Sequence, residues 1–124
     1  MPHQIKNLIK AFGHAIDGWK RCLKERNVKI HLAATICVLL ASFILKISTT
    51  QFLIILILIA IVISAELFNT AIEDVCDTIT ANLKLQYGDT TIPRDVAAGA
   101  VLVVASIAAL VGLIIFIPRF LTLF

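Results

Sequence analysis

Apolar side chains crowd three stretches of this chain, residues 30–47, 52–65 and 96–117, with short polar segments between them. A bilayer's hydrocarbon core takes roughly 20 helical residues, a length the third stretch meets and the first two reach with flanking turns. Lipid offers backbone amides no water to bond, so each stretch is predicted as a transmembrane helix. Ahead of them, Ile5, Leu8, Ile9, Phe12, Ile16, Trp19 and Leu23 recur mostly three and four residues apart, interleaved with Lys6, Lys10, Asp17, Lys20 and Lys24. That spacing predicts an amphipathic helix over 4–27 lying in the membrane interface, with Trp19 as an anchor.

The connections follow from the same pattern. Residues 46–51 are short and polar, so the first two spans form an antiparallel hairpin. Segment 78–93 mixes turn residues with Leu83, Leu85 and Tyr87 and is predicted as a loop, with Gly88-Asp89 as its turn. Pro93 sits just ahead of the third helix, where its fixed φ and missing N–H are tolerated. Arg94-Asp95 opens that helix, and small residues at 97–100 and 105–112 let backbones approach closely. The fold class is all-α: three transmembrane helices plus a surface helix, packed as an oligomeric bundle and read as one domain over 1–124. The helical extensions place the later spans at 52–77 and 94–117.

The second apolar run passes without a break into Glu66, Asn69, Glu73 and Asp77. At ~100° per residue these fall at roughly 0°, 300°, 340° and 20°, one narrow line along a single face. Asp74 lies about 80° off that line and is expected in solvent. A carboxylate inside a span costs on the order of 2.5–3.5 kcal/mol at the helix centre, and polar seams between spans ordinarily use Ser, Thr or Asn. The stripe is therefore read as an active centre.

Composition and charge sharpen the picture. The 124 residues are 60% hydrophobic, and a mean hydropathy of +0.99 lies above the range of soluble globular chains. Seven basic residues precede the first span and Lys84 and Arg94 lie between the second and third, against Lys46 and Arg119 on the other side. Nine against two predicts a cytoplasmic N-terminus and 78–94 loop, with the C-terminus outside a bacterial cytoplasmic membrane. No cleavable leader is expected, because the first apolar run begins only near residue 30, after a long charged segment. A net charge of +3 beside a membrane suits anionic headgroups and makes no case for nucleic acid. Cys22, Cys37 and Cys76 lack CxxC spacing and are read as reduced packing residues.

This topology collects polar groups near one membrane surface: Glu66, Asn69, Thr70, Glu73 and Asp77; Glu25, Arg26, Asn27 and His31; Arg94 and Asp95. Carboxylates from separate segments suit a hard cation such as Mg²⁺ that shares oxygen ligands with substrate phosphates. An Arg beside them suits a phosphoryl group, and a deeper carboxylate can accept the proton of a lipid hydroxyl. The combination suggests phosphoryl transfer from a nucleotide to a lipid alcohol. No GxxxxGK[ST] or GxGxxG loop is present, so the nucleotide is not held as in the common kinase folds. An oligomeric protein conducting protons or cations along the same carboxylates, or a non-catalytic membrane adaptor, is the alternative that the residues alone leave open. His31 is read as an interface residue outside the site.

The segments AELFNTAIEDVCD (65–77), ERNVKIH (25–31) and RDVAAGAVL (94–102) resemble the prokaryotic diacylglycerol kinase family, and its undecaprenol kinase branch most. The resemblance covers nearly the whole chain. It implies a homotrimer of three-span protomers with active sites shared between neighbours at the cytoplasmic interface. It further implies that Glu66 is the general base, that Glu25 and Glu73 ligate Mg²⁺ on the ATP phosphates, and that Asn69 and Asp77 orient these groups. Arg94 and Asp95 would contact the phosphates. Two departures stand out: Arg94 replaces the family's usual Lys, and the segment between Asp77 and Asp95 is about three residues longer than the family's, without its acidic and aromatic stretch. The reading is an ATP- and Mg²⁺-dependent lipid kinase, with undecaprenol as first substrate and diacylglycerol as the alternative.

Overall fold

The computed structural model describes residues 2–123. Four α-helices run in the order α1 (His3–Cys22), α2 (Arg26–Ile44), α3 (Thr49–Leu83) and α4 (Thr91–Leu121), with a 3-10 turn at Tyr87–Thr90 before α4. The last three helices are each long and apolar enough to cross a membrane. α4 packs along α3 most extensively, and α2 lies along α3 as the other arm of the hairpin. Buried contacts are few and come from Val28, Ile55, Val62, Ile63, Ala97, Val101 and Ile115. Most large apolar side chains point outward, among them Phe43, Ile44 and Phe68, as they can where lipid is the solvent.

Each helix boundary has a local cause. The end of α1 tightens as Lys24 N–H bonds Arg21 O and Glu25 N–H bonds Cys22 O. Glu25 is then extended and caps α2, so α1 stops at Cys22, short of the 27 expected from periodicity. Residues 26–29 instead begin the first spanning helix. Lys46 closes the hairpin in the left-handed region at φ 49°. Ser48 starts α3 with a capping box: its hydroxyl accepts from Gln51 N–H at 3.2 Å while Gln51 Oε1 accepts from Ser48 N–H at 3.1 Å, two orphan donors satisfied reciprocally.

The far end of α3 departs most from expectation. The helix continues beyond Asp77 to Leu83, where a 78–93 loop was expected. The threonines that suggested a loop bond back into the helix, Thr78 to Asp74 O and Thr80 to Cys76 O. Lys84 then turns into the left-handed region at φ 51°, and Leu85 N–H reaches Thr80 O at 3.0 Å, the bonding of a Schellman stop. The connection shrinks to residues 84–90, and Asp89 Oδ2 accepts from Gln86 N–H to shape the 3-10 turn. Helix α4 accordingly opens at Thr91, with Pro93 inside its first turn.

Candidate functional site

Polar side chains on the apolar helix α3 gather along its inward face. Glu66 is 2% exposed, and Asn69 and Thr70 are buried one turn on. From α2, His31 Nε2 lies 3.0 Å from Glu66 Oε1. The other carboxylate oxygen, Oε2, is buried with no hydrogen-bond partner. Asn69 Nδ2 donates to Glu73 Oε1 at 3.2 Å, which leaves Asn69 Oδ1 buried and also unpartnered. Two orphaned acceptors on one face of the same helix are costly in a finished interior; they are what a site awaiting a donor or a cation presents.

Helix α4 closes the outer end. Arg94 is buried, its Nη2 donating to Asp77 Oδ1 at 2.7 Å and its Nε to Thr90 Oγ1 at 3.1 Å. Its guanidinium carbon stands 4.5 Å from the centre of the Tyr87 ring, a cation–π contact. Helix α1 arrives through Arg21, which bonds Glu25 Oε1 at 2.6 Å and Asp74 Oδ1 at 2.5 Å. The bond to Glu25, then that to Asp74, raises the Arg21 pKa above its ordinary value. Cys22 is buried beside Thr70, and loss of solvent raises its thiol pKa.

Below His31, the three long helices enclose an apolar groove of about 440 Å³. Val38, Ile55, Val62, Ala108, Gly112 and Phe116 contribute to its walls, and His31 stands at one end. Glu66 is joined to this groove through His31, which lines it and pairs with Glu66 Oε1.

The structure brings Glu66, Asn69 and Glu73 together and joins Asp77 to Arg94. Glu25 is tied by way of Arg21 to Asp74, which is therefore an ion-pair partner and not the free surface charge expected from its angle. Asp95 is exposed. Among the described residues no three His, Cys, Asp or Glu side chains cluster as a ready metal cage. Sequence reasoning left out His31. The signal was available: Val28, His31, Thr35, Val38 and Ser42 form the inward stripe of α2, at helical spacing.

A helical chain with three membrane-length helices and a buried carboxylate paired with a histidine that lines an apolar groove defines a membrane-embedded protein with a polar working centre. The prokaryotic diacylglycerol kinase family model matches residues 13–116, and the chain belongs to that family. It is 38% identical over 118 residues to the undecaprenol kinase of Bacillus subtilis (strain 168), covering 94% of each chain. It is 30% identical over 118 residues to a diacylglycerol kinase of Synechocystis, covering 94% of this chain and 66% of that protein. No solved structure matches it. The chain is thus a lipid kinase, a transferase for which ATP is the phosphoryl donor that such a family implies. Family membership favours transfer over ion conduction along the same stripe.

Proposed function

We propose that this protein phosphorylates undecaprenol from Mg·ATP at the cytoplasmic face of a bacterial inner membrane. The observation that carries this reading is the buried Glu66 carboxylate, one oxygen without a partner and the other paired with the His31 that lines the apolar groove. A polyisoprenoid tail would lie along the groove and bring its terminal hydroxyl to Glu66 Oε2. That oxygen would accept the hydroxyl proton as the new O–P bond forms and the bond from the γ-phosphorus to the ADP-side oxygen breaks. Asn69 and Glu73 hold each other in place one and two turns further along α3.

The residues fit magnesium. Glu73 and the unpartnered carbonyl of Asn69 offer oxygen donors on one face of α3, Glu25 carries a further carboxylate now bonded by Arg21, and Mg²⁺ is ordinarily held by one or two carboxylates together with substrate phosphates. Glu25 and Glu73 would hold the ion, which when bound neutralises phosphate charge. Asp77 orients Arg94, which supplies positive charge at the phosphate end with Asp95 beside it. In this reading α1 is an amphipathic helix on the cytoplasmic surface: Ile5, Leu8, Ile9, Phe12, Ile16 and Trp19 are exposed along it and would rest in lipid. The whole chain acts as one domain, the N-terminus is cytoplasmic, the C-terminus is outside, and three copies share their sites.

The Synechocystis relative supports diacylglycerol as the second candidate substrate. Transfer of label from Mg·ATP in mixed micelles, with the two lipids offered in parallel, separates them. Undecaprenol is the expected acceptor, and Glu66→Gln is expected to lower turnover by about a hundredfold or more. Preference for diacylglycerol would move the substrate and leave the chemistry; transfer to neither would defeat the proposal.

A further inference from the structure

The two oxygens of Glu66 are not equivalent. Oε1 faces His31 Nε2 at 3.0 Å, and Oε2 is buried and unpartnered. An ionised carboxylate only accepts hydrogen bonds, and toward that form His31 Nε2 is the donor of this contact. Among the described residues no other side chain lining the groove bonds either group. Its remaining walls are Ala34, Thr35 and Val38 from α2, apolar residues such as Val62 from α3, and Ala105, Ala108 and Gly112 among those from α4. Thr35 spends its hydroxyl on His31 O at 2.8 Å. Further along α3, Asn69 and Glu73 bond each other, and Thr70 is buried beside Cys22 of α1.

We propose that His31 is the positioning residue of the base: its Nε2 holds the Glu66 side chain through Oε1. The proposal rests on the lipid-kinase reading of Glu66. With Oε1 so held, Oε2 is the oxygen left for the lipid hydroxyl, and alignment of this kind is a large share of what a phosphoryl-transfer site supplies. Among the described residues His31 pairs with Glu66 and with none of those proposed to hold nucleotide or metal. Its loss should therefore act on kcat and leave KM for Mg·ATP unchanged.

Two polar substitutions separate positioning from packing. In His31→Gln the amide nitrogen reaches the place of Nε2, whereas in His31→Asn it stops near the place of Nδ1. Infrared spectra of protein carrying ¹³C-carboxyl glutamate, differenced against Glu66→Gln, read the hydrogen bonding of the Glu66 carboxyl directly and need no turnover. His31→Asn is expected to shift that band and to slow turnover about tenfold. His31→Gln is expected to restore the band and to bring turnover to within about threefold of the parent. The proposal is overturned if the Glu66 band is alike in His31→Asn and the parent protein, or if His31→Gln is as impaired as His31→Asn. A shifted band in His31→Asn, with no transfer to either lipid by the parent, would uphold the pairing and overturn the lipid-kinase reading instead.

Discussion

Arg94 holds three partners at once: the Asp77 carboxylate, the Thr90 hydroxyl and the face of Tyr87. A lysine keeps the charge but has neither the planar fork nor the second donor direction. Arg94→Lys is accordingly expected to lower stability by about 1–2 kcal/mol, read by thermal unfolding in detergent. Cys22 gives a pH-dependent counterpart. Burial holds its thiol pKa above the ordinary value, so the folded state keeps the proton when the unfolded chain has lost it. The stabilisation is whole below the ordinary thiol range and declines as pH rises through that range toward the raised folded value. Melting temperature should fall more steeply with alkaline pH in the parent than in Cys22→Ser, and Cys22 should resist alkylation until the protein is unfolded. Both residues also mark the reach of sequence reading. Glu66, Asn69, Glu73 and Asp77 were legible because one helical period fixes their common face. The pairings of Glu66 with His31 and of Arg21 with Asp74 join different helices, and such pairings depend on where each helix starts and how it is rotated.

Among the elements, α3 governs the site, and its ends were the least legible part of the fold. Its beginning was hidden in a polar stretch that reads as a turn until Ser48 and Gln51 are seen to cap each other. Its end was masked by Thr78 and Thr80, residues with poor helix propensity that here bond back to carbonyls of the preceding turn. Ser48→Ala removes one half of the capping box and is expected to cost about 1 kcal/mol. Lying at the opposite end of α3, it should leave turnover per folded protein unchanged, which activity assays on purified protein would check. At the other end, Lys84 occupies a left-handed position without being glycine. Lys84→Gly is expected to stabilise the protein by about 0.5–1 kcal/mol, measurable as a higher unfolding temperature.

At the scale of the whole molecule, the three spans and their hairpin were legible because apolar length is a strong signal. Their mutual packing was not, since lipid-facing and helix-facing residues are alike apolar along most of α4. The structure resolves this by turning α4 onto α3 and leaving the apolar groove between the three long helices. Glu66 falls at the middle of the 35 residues of α3. From the capped start at Thr49 to Glu66 the axis therefore runs about 26 Å, a little less than a hydrocarbon core of roughly 30 Å. The helix then continues for as long again. A rigid rod capped at one end and carrying its reactive group at a fixed height is a ruler, and the membrane is what it measures. Initial rates in phosphatidylcholine bilayers of graded acyl length should pass through a maximum, falling in thick membranes as Glu66 sinks beyond the nucleotide's reach. They should fall in thin ones too, as the lipid hydroxyl no longer rises to meet it. Bilayer thickness thereby becomes a control on this enzyme's rate that no soluble partner supplies.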